Sequence, residues 1–527
     1  ELSGDGTVAV APVTTSNASN AHPTKIAKHI QDLAAPLRAE GVDVQFAGGW
    51  FASGSVPASE TVGVLAAIVI LLVAFGSMIA MGLPILTALV GIAISLCGVG
   101  ILTHVVTTPS FVPQVAAMIG IGVGIDYALF IVTRYRDALH RSGSPELAVI
   151  EAMTTSGRAV VFAGVTVMIS VLGMFLIGLS FLYGLAAGTS VAVAIAVLAA
   201  TTLLPAMLGF VGFTIDRLHV GPRRRVAHET MWHRWARTVQ HNPAVIAAAG
   251  LVVLVLAGVP TFAMRLGSAD AHNDPKSSTT YKAYELISHG FGPGANGPIL
   301  VVMDETHPGS TAAVPRVLHA LQTTPGVASV GTVRDDERGT ASIATLTATT
   351  DPQDKATERL VHHIRDEVVP EATAGSGLVV RIGGQTAAAI DFTDTMSNRM
   401  PLFIGGVLGL SFLLLLVVFR SVLVPLKAVL MNLLSIGAAY GVIVAIFEWG
   451  WGAGIIGVQK GPIDAWVPMM LFAIVFGMSM DYEVFLLSSI KEQYDRTGDN
   501  ATAVAEGLSN TARVITAAAL IMVFVFG

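Results

Sequence analysis

Two aspartates stand where an apolar helix should have none. The stretch "GIGVGIDYALFIVTRYRD", from Gly120 to Asp137, is apolar through its first half yet carries Asp126. "VFGMSMDYEVFLLSSIKE", from Val475 to Glu492, repeats the pattern with Asp481. A carboxylate at the centre of a membrane helix costs about 2.5–3.5 kcal/mol on insertion scales. Two at matching positions need a reason. Desolvation without a paired cation favours the protonated form, and a carboxyl poised to exchange protons is a relay element. Tyr127 and Tyr482 follow each aspartate and point about 100° away on a helix. Each tyrosine is therefore expected to donate to the aspartate of the other helix. Gly122 and Gly477 lie four residues before, Phe130 and Phe485 four residues after, all on the aspartate face. The glycines would let the two helices approach and the phenylalanines would seal the gap. An Asp–Tyr pair can also serve only to glue helices. Its duplication and the lack of cations favour the relay. Glu483 has Ala128 as its counterpart and is treated as secondary.

Such residues need membrane elements, and composition supplies them. The 527 residues are 53% hydrophobic and only 13% charged, with a mean hydropathy of +0.69. That is half the charge of an ordinary soluble domain, about 25%. Spans of about 20 apolar residues are expected at 61–81, 84–103, 113–133, 159–179, 182–212, 243–264, 401–419, 428–447 and 466–488, with another beginning at Val514. None of the nine complete spans contains Lys or Arg. Basic residues Arg134, Arg136, Arg141 and Arg158, and then Arg217, Arg223, Arg224, Arg225, Arg234 and Arg237, mark loops 134–158 and 213–242 as cytoplasmic. Regions 1–58 and 265–400 then fall outside, and 490–513 inside. The formal net charge of −6 averages both kinds of region and identifies no partner.

The expected organisation follows. Residues 1–58 read as the C-terminal half of an outer domain, with a strand at 7–13, a helix at 23–38 and a strand at 42–47. Residues 59–212 form a first membrane half of five spans. Residues 213–242 form a basic linker with an amphipathic surface helix anchored by Trp232 and Trp235. A span at 243–264 opens the second half. Region 265–400 reads strand 297–303, helix 310–322, strand 327–333, strand 341–349, helix 353–368, strand 378–382. This is the split βαβ order, βαββαβ. Residues 401–527 form the second membrane half. "GVDVQFAGG" near 41–49 resembles "GLVVRIGG" at 377–384. The sequence reads as an internal piece of a longer protein, without the first half of the first outer domain, the span before it, and its last spans.

Repetition organises the chain. A shift of 355 residues aligns 121–166 with 476–521 without a gap. Asp126/Asp481, Tyr127/Tyr482, Gly122/Gly477, Phe130/Phe485, Gly143/Gly498, Glu151/Glu506 and Arg158/Arg513 are identical pairs. Two halves of like orientation imply a pseudo-two-fold axis along the membrane normal.

Other signals are weak. "GIGVG" at 120–124 follows no strand and suits helix packing better than a nucleotide. "HETMWH" at 228–233 has Trp232 where a zinc-protease motif needs histidine. His362 and His363 adjoin on a soluble helix and suit solvent better than metal. Arg223–Arg225 suit lipid headgroups. Cys97 is alone, so neither a disulfide nor a cysteine metal site can form. There is no P-loop, and any energy for transport is expected from an ion gradient. No metal, organic cofactor or nucleic-acid partner is expected.

In carrying "GIDYALF" and "SMDYEVF", the chain resembles the MmpL family of the resistance-nodulation-division (RND) superfamily over essentially its whole length. Arg420, Ser421 and "VPLKAVLMNLLS" at 424–435 fit the second-half pattern; Gly76 replaces the basic residue in the first. The resemblance implies repeated membrane halves with βαββαβ outer domains and a proton relay formed by Asp126, Tyr127, Asp481 and Tyr482. It implies a multi-pass protein of the bacterial inner membrane that exports lipids or other hydrophobic molecules and is not an enzyme. Accessory envelope proteins are expected partners, and monomer and trimer both stay open. A drug-efflux pump of the same fold is the alternative, though such relatives usually place a lysine opposite the aspartates. A sterol-sensing, receptor-like or protein-translocation role is the alternative from another class.

Overall fold

The computed structural model describes residues 1–13, 23–51, 59–218, 231–456 and 459–526. Arg223–Arg225 and the first half of "HETMWH" lie outside them. The chain divides into two compact units: residues 1–55, 260–398 and 441–467 in one, residues 56–259, 399–440 and 468–527 in the other.

The first unit is built on an antiparallel sheet. Its strands Val327–Val330, Ala341–Ala348, Ile299–Asp304 and Val379–Gly383 lie side by side in that order, and Arg334–Asp335 adds to Ala341–Ala348. Val301 stands opposite Ala344 on one side and Ile382 on the other. Alternate residues are buried: Ile299, Val301 and Met303 on one strand, Ala344, Leu346 and Ala348 on its neighbour. This is the signature of a sheet with one covered face. Val317 and Leu321 from helix Val314–Thr323, and Leu360, Val361 and Ile364 from the helix beginning at Lys355, cover it. The βαββαβ order is present, with ends within a few residues of expectation. Helix Thr279–Phe291 was not anticipated.

The strands expected at 7–13 and 42–47 do not form. Ala9 makes only an isolated bridge to Leu2. In the second segment, ladder groups go to side chains: the Val44 carbonyl accepts from Arg38, and the Phe46 amide donates to Thr279 Oγ1 at 2.8 Å. A strand needs a partner strand, and these groups are satisfied otherwise. The helix expected at 23–38 is two, Pro23–Leu33 and Ala35–Ala39.

Residues 441–467, placed by sequence in the second membrane half, belong to this unit. Leu266–Gly267 pairs in parallel with Ile463–Asp464. The Arg265 amide donates to Glu448 at 2.6 Å.

The second unit is helical. Among the described residues of the whole chain, nine helices are long and apolar enough to cross a membrane, and a shorter apolar helix covers Gly63–Phe75. Helix Val112–Ser142, which bears Asp126, is central: its apolar window is 89% buried, against 6% for Pro243–Ala263. A helix apolar all round and still exposed is suited to lipid. This is a multi-pass membrane protein.

Boundaries differ from expectation where capping outranks hydropathy. The first two spans break at Gly76–Ser77, not near residue 82. Gly76 has φ +65°, and Ser77 caps the helix Met78–Leu102 while donating to the Ile215 carbonyl at 2.6 Å. The loop expected at 134–158 is mostly helical. Val112–Ser142 runs on past Arg134 and Arg136, stops at Gly143 (φ +64°), and Ser144 caps the next helix. Helix Gly384–Phe419 starts well before the expected span at 401, and Leu423–Phe447 includes Lys427. The helices run beyond the expected spans and take in cations past their ends, such as Arg134, Lys427 and Lys491, while the expected spans themselves carry none. The expected surface helix is present as Met231–His241, with Trp235 half exposed.

Candidate functional site

Asp126 sits midway along Val112–Ser142 and Asp481 midway along Trp466–Thr497. Both belong to the helical unit. They are 3% and 6% exposed, so water scarcely reaches either. Tyr127 Oη donates to Asp481 Oδ2 at 2.9 Å across the two helices. Tyr482 is set toward Asp126 in the reciprocal cross-pair, in looser geometry than the Tyr127–Asp481 bond, and Asp126 Oδ1 and Asp481 Oδ1 have no hydrogen-bond partner among the described residues. One cross-pair is closed and the other is loose.

No lysine or arginine pairs with either aspartate among the described residues. Lys427 acts on Glu483, not on the aspartates. The nearest ion pair on these two helices is Arg134 with Glu492 at 2.7 Å, two turns from Asp126. Orphaned lone pairs on buried carboxylates are expensive. They mark a place where protonation changes the energy of the packing.

Phe130 and Phe485 meet with centroids 4.0 Å apart, and Phe130 also lies 6.3 Å from Tyr482. These rings cover one side of the acidic pair. The glycines act differently from expectation. They do not face one another. A Cβ on Gly122 would meet Met522 Sδ at 2.9 Å, and one on Gly477 would meet the Val167 backbone at 2.9 Å. Met522 and Val167 are themselves 355 residues apart. Each central helix is thus seated on the equivalent outer helix of the other half, which is the pseudo-two-fold read at the level of side chains. Within the first half, Gly164 makes a similarly close approach: a Cβ there would strike Val197 at 2.2 Å.

Sequence reasoning passed over Asn432. It is 3% exposed, accepts from Ser479 Oγ at 2.5 Å and donates to Met480 Sδ at 3.5 Å, in the turn that precedes Asp481. Its signal was a lone amide in "LKAVLMNLLS", which hydropathy averages away. Ser170 Oγ similarly donates to the Ala473 carbonyl at 2.7 Å.

The MMPL family matches residues 1–255 and 299–527. The chain is 34% identical to "Membrane protein YdfJ" of Bacillus subtilis, over 100% of this chain and 72% of that protein. It is 35% identical to "Mycolic acid-containing lipids exporter MmpL11" of Mycolicibacterium smegmatis, over 89% of this chain and 50% of that one. It is 36% identical to "Heme uptake protein MmpL11" of Mycobacterium tuberculosis, over 87% and 48%. The chain thus spans about half the length of the MmpL11 proteins. Among solved structures, the hedgehog release protein Disp from water bear superposes with a TM-score of 0.63 at 12% identity, covering 89% of this chain and 65% of that one. At that identity the likeness is one of fold. By its match along both halves, and by its 34% identity to a relative of which it covers 72%, the chain belongs to the MMPL family of RND-type membrane transporters.

Proposed function

We propose that the chain is the core of a proton-driven exporter of lipids or other hydrophobic molecules, seated in a bacterial inner membrane with its polar unit on the outer side. Asp126, Tyr127, Asp481 and Tyr482 carry the coupling protons, and no other cofactor is required. The observation that carries this reading is the buried acid pair: two aspartates at repeat-equivalent positions, without a cation, each facing the tyrosine of the other helix, one closely and one loosely. Taking up a proton relieves an unpaired buried charge, and that relief favours one packing of the two halves over another. The M. smegmatis relative's name, an exporter of mycolic acid-containing lipids, supports the substrate class.

The M. tuberculosis relative's name, a haem uptake protein, supports a second reading in which a hydrophobic ligand moves inward. Direction is therefore part of the test. The full-length protein is reconstituted in vesicles with an imposed pH gradient, and movement of fluorescent lipid and of haem is followed both ways. Outward lipid movement is expected, collapsing with the gradient. Asp126→Asn and Asp481→Asn each abolish it, at least 100-fold, with insertion and folding retained. Full transport by either variant refutes the relay, and gradient-driven inward haem flux without lipid export refutes the direction.

A further inference from the structure

The polar unit holds a cluster that the relay does not use. Glu358 and His362 stand one turn apart on helix Lys355–His363, and Asp394 comes from helix Gly384–Phe419. One ligand atom from each lies within 4.8 Å of the other two. The spacing of Glu358 and His362, i and i+4, places both on one helix face. Asp394 is 32 positions further along and reaches the same point from a different element, so nothing in the local sequence reveals it.

The chemistry of the three groups is that of a metal site. Zn²⁺ takes histidine nitrogen and carboxylate oxygen at about 2.0–2.2 Å, and tetrahedral ligand atoms are then about 3.4 Å apart. His362 Nε2 and Asp394 Oδ2 are 3.4 Å apart. The two form an ion pair when the imidazole is protonated, and a metal ion would take the place of that proton, with Glu358 as the third ligand. A comparison lies next door. His363 also has a carboxylate one turn on, Glu367, at 3.3 Å. Among the described residues it gains no third ligand, and that pair is an ordinary surface contact.

The position gives the cluster a consequence. Glu358 and Asp394 line the rim of a cleft of about 90 Å³, whose other walls include Asp270, Asp354, Gln385 and Thr393. Four carboxylates against Arg265 give this cleft an excess of negative charge. An ion held by Glu358, His362 and Asp394 ties its two helical walls together and keeps one coordination position open to the cleft.

We propose that Glu358, His362 and Asp394 bind a divalent transition-metal ion, zinc by preference, as a clip across this cleft. Imidazole with two carboxylates suits zinc above magnesium or calcium. The test uses the whole chain, purified in detergent without a histidine tag and stripped of metal, titrated with Zn²⁺ by calorimetry. One equivalent is expected to bind tightly, with zinc-edge absorption showing only nitrogen and oxygen ligands. Loss of a mere supporting group costs metal sites about 10–100-fold, so His362→Ala, Glu358→Gln and Asp394→Asn are each expected to weaken that equivalent by more than tenfold. His363→Ala leaves it unchanged. These side chains are partly exposed, so the variants keep the parent's elution profile and melting curve without zinc. A chain that takes up no zinc overturns the proposal. So does a His362→Ala variant that binds like the parent, or a His363→Ala variant that loses the site.

Discussion

Asp270 caps the short turn Ala271–Asn273, accepting from the His272 amide at 2.9 Å. Burial pushes its carboxyl up to about 6, with Asp351 and Asp274 adding to the rise and the His272 amide and imidazole opposing it. The sign follows from linkage. Between its ordinary value and about 6, the folded protein holds a proton that the unfolded chain has released. Stability contributed by this group is therefore greatest in acid and falls as pH rises through that window. Above it, the folded unit carries a half-buried charge that costs about 1 kcal/mol after allowance for screening. Asn keeps the capping oxygen and drops the charge. Asp270→Asn is expected to melt at or above the parent temperature at pH 7.5 and to flatten the pH dependence between about pH 4 and 6. Differential scanning fluorimetry at four pH values checks this. A variant less stable than the parent at pH 7.5 would mean the charge itself holds the turn.

At the scale of elements, the glycines separate two kinds of close packing. A Cβ at Gly477 meets the main chain of Val167, which can move only with its helix; a Cβ at Gly122 meets the sulfur end of Met522, which can swing aside. Overpacking against fixed atoms costs about 1–3 kcal/mol, whereas methionine adapts. Gly477→Ala is thus expected to lower the melting temperature of the detergent-solubilised protein clearly, and Gly122→Ala to lower it little. Equal losses would show that both contacts are equally rigid. This distinction was not legible in the sequence. There the two glycines are equivalent, and periodicity places them on the aspartate face without saying which neighbour fills it. Helix existence was legible from runs of apolar residues; helix ends were not, because Ser77, Gly143 and Ser144 set them by capping. The sheet of the polar unit showed in its alternation, as at Ile299–Asp304. The strands expected at 7–13 and 42–47 had the alternation and lacked a partner, which is a tertiary fact. The metal-type cluster escaped for the same reason, since Asp394 joins His362 only through the fold.

Across the whole molecule, the repeat gives two equivalent halves, yet the acid centre is not symmetric. Tyr127 bonds Asp481 at 2.9 Å, while the Tyr482 hydroxyl is set only loosely toward Asp126. If the relay alternates, the state with Tyr482 bonded to Asp126 is the counterpart of this one, reached when the halves exchange roles. Stability and transport then separate in two variants that sequence alone would treat alike. Tyr127→Phe leaves Asp481 Oδ2 without its donor in a buried place, a cost of about 1–3 kcal/mol. Tyr482→Phe removes a buried hydroxyl held only loosely against Asp126, a smaller cost. Melting of the purified protein is therefore expected to drop for Tyr127→Phe and to drop less for Tyr482→Phe. Transport by the full-length protein is expected to fall in both, because each tyrosine serves one half of the cycle. Equal destabilisation by the two variants would count against the asymmetric resting state. Undiminished transport by Tyr482→Phe would count against the exchange, leaving that tyrosine a packing residue beside Phe130.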